Sequence, residues 1–184
     1  DFGRSVAGLG NVDGDGVGDL AVGARFDDDG GDDRGAIYIL FLNADGTLKA
    51  STEINDLVGG FTGVLDDGDA LGRSLAGIGD LNGDGVEDLA AGVSSDDDTW
   101  NESGAVWILF LDTTGTVSSS QKISNLEGGL SEAGVSLVTS DLFGISVANV
   151  GDLNGDGVVD LAVGADGDND GGIDRGAVYI LFLN

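Results

Sequence analysis

Residues 80–93 read Asp80-Leu81-Asn82-Gly83-Asp84-Gly85-Val86-Glu87-Asp88-Leu89-Ala90-Ala91-Gly92-Val93, an acidic, glycine-punctuated turn that runs straight into a strand of small apolar residues. The pattern stands again at 11–24, from Asn11 through Asp19 to Ala24, and at 152–165, from Asp152 through Asp160 to Ala165. The steps between copies are 69 and 72 residues. Two other landmarks keep the same steps. Gly3-Arg4-Ser5 returns as Gly72-Arg73-Ser74 and as Gly144-Ile145-Ser146, and Gly35-Ala36-Ile37-Tyr38 returns as Gly104-Ala105-Val106-Trp107 and Gly176-Ala177-Val178-Tyr179. Agreement at three landmarks identifies a threefold structural repeat.

Each unit reads as four strands between Gly/Asp turns, with no helical period. In the first, Phe2 to Leu9 is a small-residue strand and Asp19 to Ala24 a second; Ala36 to Asn43 is continuously apolar, as a strand covered on both faces should be. After the turn Ala44-Asp45-Gly46, Thr47 to Ile54 alternates Leu48, Ala50, Thr52 and Ile54 with Lys49, Ser51 and Glu53, which predicts a half-exposed outer strand. A small inner strand, covered middle strands and a polar outer strand describe one blade of an all-β propeller. The expected units are 1–70, 71–141 and 142–184, the third ending after its third strand, the apolar run Ala177 to Leu183. Three blades do not close a propeller ring, so pairing with further copies or chains through that edge is expected. The chain opens at Asp1 without Met, so a mature piece or an excised fragment is expected.

Composition removes several functions at once. With no His, Cys or Met, the chain has no imidazole, thiolate or thioether for a Ser-His-Asp triad, cysteine catalysis, a zinc finger or haem ligation. Its 34 acidic and 7 basic residues give a formal net charge of −27, which repels nucleic-acid phosphates and anionic lipid. Neither nucleic acid nor direct membrane insertion is expected. The strand-length apolar runs separate this acidic chain from a disordered one.

The repeat resembles the FG-GAP family, which builds the head of integrin α subunits, over essentially the whole chain. The Phe-Gly element is Phe2-Gly3, Leu71-Gly72 and Phe143-Gly144; the Gly-Ala-Pro element is Gly23-Ala24-Arg25, Gly92-Val93-Ser94 and Gly164-Ala165-Asp166. The absent proline departs from integrins and makes the chain more similar to a bacterial-type FG-GAP array.

The strongest chemical signal is the turn between strands one and two, with oxygen-bearing residues at positions 1, 3, 5, 7 and 9. The predicted ligands are Asn11, Asp13, Asp15, the Val17 carbonyl and Asp19; Asp80, Asn82, Asp84, the Val86 carbonyl and Asp88; and Asp152, Asn154, Asp156, the Val158 carbonyl and Asp160. Calcium takes six to eight hard oxygens, and alternate positions of a tight loop with glycine at position six converge on one point. The FG-GAP resemblance implies the same calcium assignment. Ordinary solvated hairpins also favour Asp, Asn and Gly, but need no such alternation three times over. Each loop counts three aspartates, so charge alone ranks none of them.

A second acidic turn follows strand two. In the third repeat Asp166, Asp168, Asp170, Gly172 and Asp174 keep the 1, 3, 5, 7, 9 spacing, which predicts a second calcium site or, alternatively, a solvated acidic loop. The equivalent turns hold Asp27 and Asp29 in the first repeat and Asp96 and Asp98 in the second. Tyr38, Trp107 and Tyr179 share one strand position and read as core, Trp100 as a surface aromatic, and Arg34 and Arg175 as local charge balance.

The expected protein is thus a non-enzymatic, calcium-stabilised, extracellular or cell-surface module for interaction, adhesion or assembly. Its expected partners are other protein chains, further copies of the repeat, or an extracellular ligand or glycan. A filament or spacer subunit, or a non-catalytic part of a larger extracellular enzyme, are the alternatives.

Overall fold

The computed structural model describes residues 1–98, 100–172 and 175–184. Among them lie eleven strands and no helix. The first sheet is β1 (Phe2–Leu9), β2 (Asp19–Ala24), β3 (Ala36–Leu42) and β4 (Leu48–Ile54), in that spatial order and antiparallel throughout. The second repeats it as β5 (Ser74–Gly79), β6 (Asp88–Val93), β7 (Ala105–Leu111) and β8 (Val117–Ile123). The third has three strands, β9 (Ser146–Gly151), β10 (Asp160–Ala165) and β11 (Ala177–Leu181). The architecture is that of successive propeller blades, each sheet stacked on the next.

Two apolar clusters fill the spaces between blades. Ala21, Ile37 and Ile39 of the first sheet meet Leu89, Ala91 and Leu109 of the second, all fully buried. Ala90, Val106 and Ile108 of the second meet Phe143, Leu161 and Val163 of the third. β6 is buried along its whole length because it is covered on both faces. Each Leu or Ile so placed gains about 1.5–3 kcal/mol over exposure, and this inter-sheet burial fixes the stacking.

The repeated glycines are what allow the blades to approach. A Cβ on Gly23 would lie 2.0 Å from the Gly72 carbonyl oxygen, and one on Gly92 would lie 2.0 Å from that of Gly144. Gly72 and Gly144 take φ of 79° and 89°, the left-handed region that glycine enters without penalty. At each junction a serine seals the contact: Ser5 Oγ donates to the Gly72 carbonyl at 2.7 Å, and Ser74 Oγ to the Gly144 carbonyl at 2.8 Å. The two glycine motifs of the repeat are thus two halves of one contact between neighbouring blades.

Three strand ends differ from expectation. β3 stops at Leu42 rather than Asn43, and β4 begins at Leu48 rather than Thr47, because a bulge at Phe41/Leu42 sets the last pair, Leu42 against Leu48. β11 ends at Leu181 rather than Leu183. β10 is its ladder partner, and the last pair is Leu161 with Leu181. Val178, on the solvent side, is 70% exposed.

Candidate metal-binding loops

The nine-residue turn after each inner strand closes in the same conformation three times. The glycines at position six have φ of 91°, 90° and 92°, and those at position four 79°, 79° and 83°. An L side chain at these positions would be strained, so the glycines dictate the loop path.

The carboxylates and amides then fold inward on backbone N–H groups. At position one, Asn11 accepts from Gly16 N at 2.9 Å, Asp80 from Gly83, Asp84 and Gly85, and Asp152 from Gly155, Asp156 and Gly157. Position three accepts from the position-five N–H, and position five from the position-seven N–H, in every loop. These are successive Asx turns, which preorganise one oxygen after another. The backbone bonds hold the Asp152 carboxyl below the usual range, that from Gly157 most strongly.

Position nine does different work. Asp19, Asp88 and Asp160 are at most 1% exposed. Each Oδ2 accepts the N–H of position two, from Val12, Leu81 or Leu153. Asp19 Oδ1 accepts from Leu42 N at 3.1 Å and Asp88 Oδ1 from Leu111 N at 3.0 Å, tying the loop to the bulged end of the third strand. Burial raises the Asp88 carboxyl against these bonds. Asp160 Oδ1 is buried without a partner.

Loop one contains a stand-in cation. Lys49 Nζ, from the start of β4, lies 2.7 Å from Asp13 Oδ2 and 2.5 Å from Asp15 Oδ2. The ammonium lowers the Asp15 carboxyl and is itself raised by the two aspartates. Two carboxylates of the loop therefore face a common point and hold positive charge there, two of the six to eight oxygens a calcium ion would need. In the other loops the corresponding position-five oxygen receives an amide: Asn82 Nδ2 to Asp84 Oδ2 at 2.9 Å and Asn154 Nδ2 to Asp156 Oδ2 at 2.8 Å.

The second acidic turns are closed by one equivalent bond, with Gly35, Gly104 and Gly176 donating to the carbonyls of Asp27, Asp96 and Asp168 at 3.0 Å each. Only in the first blade, among the described residues, do three carboxylates gather within 4.8 Å: Asp27, Asp29 and Glu53 of β4. In the second blade Lys122 of β8 bridges Asp96, at 2.6 Å, and Asp98. In the third, Asp168 is buried, accepting from Tyr179 Oη at 2.5 Å and from Asp170 N at 2.9 Å, while Asp166 and Asp170 are exposed. Asp174 lies outside the described residues, so the predicted fivefold set is described only at Asp166, Asp168, Asp170 and Gly172.

Sequence reasoning missed Lys49, Glu53 and Lys122, all on fourth strands. The available signal was the 69-residue step, which sets Glu53 against Lys122 and Lys49 against Ser118. Tyr38 and Tyr179 are partly buried and stack edge-on with Phe2 and Phe143, while Trp107 is buried against Phe61. Arg34 pairs with Asp56 at 2.7 Å and Asp67 at 2.8 Å, and Trp100 is 53% exposed.

Comparison with known proteins agrees with this architecture. The FG-GAP repeat family matches residues 2–40, 71–109 and 143–181. The chain is similar to integrin alpha-11 of Homo sapiens, 33% identical over 89% of the chain and 12% of that protein. It is also similar to integrin alpha-PS5 of Drosophila melanogaster, 33% identical over 90% of the chain and 15% of the relative, and to integrin alpha-4 of Xenopus laevis, 30% identical over 89% and 14%. The chain therefore spans a small fraction of the length of these relatives.

Proposed function

The chain belongs to the FG-GAP repeat family, and from that premise we propose that it is a calcium-stabilised β-propeller module for interaction, adhesion or assembly outside the cell, without catalytic activity of its own. The observation that carries the calcium reading is the loop drawn three times in one conformation, with an ammonium already seated between two of its carboxylates in the first copy.

In this reading Asn11, Asp13, Asp15, Val17 and Asp19 hold one ion, Asp80, Asn82, Asp84, Val86 and Asp88 a second, and Asp152, Asn154, Asp156, Val158 and Asp160 a third. Position nine supports the site chiefly by anchoring the loop base to the sheet. Calcium supplies charge neutralisation: three divalent ions offset six of the 27 net negative charges. The three blades, 1–70, 71–141 and 142–184, act as repeating units of one stack. A second ion in the third blade's acidic turn is a weaker proposal, because the described residues of that turn do not gather three carboxylates. The gathered trio Asp27, Asp29 and Glu53 makes the first blade the better candidate for such a site.

The relatives' integrin alpha identity supports a protein partner and an extracellular setting. The outer edge of β11, with Val178 and Ile180 at 70% and 41% exposure, supports assembly with another chain or a further copy. A purely structural spacer is the second reading that the same edge favours.

The test is thermal unfolding with and without chelator. At about 100 times Kd each filled loop stabilises by about 2.7 kcal/mol, so EDTA should lower the Tm sharply. An identical melting curve in EDTA and in millimolar calcium would remove the calcium reading. Asp84→Ala and Asp156→Ala should each lower the calcium count by one in native mass spectrometry.

A further inference from the structure

We infer that Lys49 is a tethered competitor for the cation of the first loop, so that the three calcium sites fill unequally and loop one fills last. This rests on the calcium reading above. It adds a ranking that the loop sequences themselves do not contain, since each carries three aspartates.

The argument is one of charge and reach. Lys49 extends from the start of β4 across its own blade, and its Nζ meets one oxygen each of Asp13 and Asp15, at 2.7 and 2.5 Å. Those are the predicted ligands at positions three and five, the centre of the set. A divalent ion arriving there must displace the ammonium from both, and the displaced lysine then stands as a like charge beside it.

The second loop has no such competitor. The position equivalent to Lys49 on β8 is Ser118, as the pairs Leu42 with Leu48 and Leu111 with Val117 show. Ser118 Oγ donates to the Phe110 carbonyl at 3.0 Å and reaches no loop carboxylate. In loops two and three the position-five oxygen meets a neutral asparagine amide, which a cation displaces without charge repulsion. The lysine also has a benefit for the ion-free protein, because it holds together the carboxylates that would otherwise repel. Loop one therefore stays formed at low calcium, while loops two and three depend more on the ion.

The test uses the position-six glycine amides as separate reporters, because Gly16, Gly85 and Gly157 each donate to the position-one side chain of their own loop. Calcium chloride is titrated into the whole chain and the three amide shifts are followed by NMR. In the parent protein Gly85 and Gly157 should reach their midpoints at lower calcium than Gly16. Lys49→Ala should tighten the Gly16 midpoint about threefold to tenfold, the range two exposed ion pairs give. The reciprocal change, Ser118→Lys, should weaken the Gly85 midpoint by a comparable factor and leave Gly157 alone. If Lys49→Ala loses its dispersed spectrum, Lys49→Gln and Ser118→Lys decide. A Gly16 midpoint at or below that of Gly85 in the parent, or one unmoved by Lys49→Ala, overturns the inference while leaving calcium binding intact. Absence of any shift at all three glycines overturns the calcium reading, and the ranking with it.

Discussion

The second acidic turns of the first two blades close on the same backbone bond, Gly35 to Asp27 and Gly104 to Asp96, and carry opposite solutions to the same charge problem. In blade one Asp27 and Asp29 face Glu53, three carboxylates within 4.8 Å. In blade two Asp96 and Asp98 face Lys122, whose side chain is 5% exposed and whose ammonium bridges them. The repeat thus fixes where two carboxylates stand, and one residue on the fourth strand decides whether they meet an attached cation or a third carboxylate. The charge contrast extends outward, since Asp69, at the junction into blade two, sits near the Asp96–Lys122 pair and is pushed up to about 7 by burial.

The largest effect should follow from removing the attached cation. Lys122→Ala leaves Asp96, with a side chain 2% exposed, as a buried charge without its partner, and breaking such a pair costs about 3–5 kcal/mol. In EDTA the Tm should fall by roughly 10 °C, given about 2–4 °C per kcal/mol for a chain of this size. Asp96→Asn in the same background should recover part of the loss. A Tm within about 2 °C of the parent would show that Lys122 neutralises nothing of consequence, and the contrast between blades would collapse.

A smaller effect should come from Asp69, which is 4% exposed. Its folded-state pKa of about 7 lies above the ordinary 3.8, with burial the leading cause and the neighbouring Asp96 and Asp66 adding to it. The folded chain therefore binds more protons than the unfolded chain between those values, and stability must fall as pH rises through that window. Asp69→Asn removes this loss. It should stabilise the chain by up to about 4 kcal/mol at pH 8, at about 1.4 kcal/mol per pKa unit, and leave it little changed at pH 4. Urea unfolding in EDTA measures both, and an equal effect at the two pH values would exclude the titration of Asp69 as the cause.

Much of this was legible in the residues, for a physical reason. Strand periodicity and turn glycines are local signals, so β2 was read to its residue limits, and the Asx-turn loops were recognisable from spacing alone. The glycine motifs were visible as a repeat, but their meaning, Gly23 against Gly72 and Gly92 against Gly144, is a contact between units and appears only when blades are stacked. The fourth-strand residues were hidden differently. Lys49 and Glu53 alternate correctly for a half-exposed strand and were read as solvated, yet their long side chains bend back over neighbouring loops. Alternation reports which face a Cβ leaves from and says nothing of where four or five further bonds carry the charge.

The finest test of the comparison is to make blade one resemble blade two by Glu53→Lys. The substituted lysine would stand on β4 where Lys122 stands on β8, since Glu53 pairs with Tyr38 as Lys122 pairs with Trp107. In EDTA it should replace repulsion among three carboxylates by attraction to two. The gain should be no more than about 1 kcal/mol, because Asp29 is exposed and such pairs are screened by water. The control is Glu53→Gln, which removes the third charge without supplying a cation; it should recover the smaller part of the gain. In millimolar calcium the order should change if solution cations serve blade one: the parent then closes the gap on Glu53→Lys, because its trio is neutralised from outside while the variant has no use for the ion. A Glu53→Lys chain that melts below Glu53→Gln in EDTA would mean that the blade-one turn does not accept a cation in the blade-two position. The shared closing bond would then fix only the ends of the turn, with the charge on the fourth strand set by some other contact.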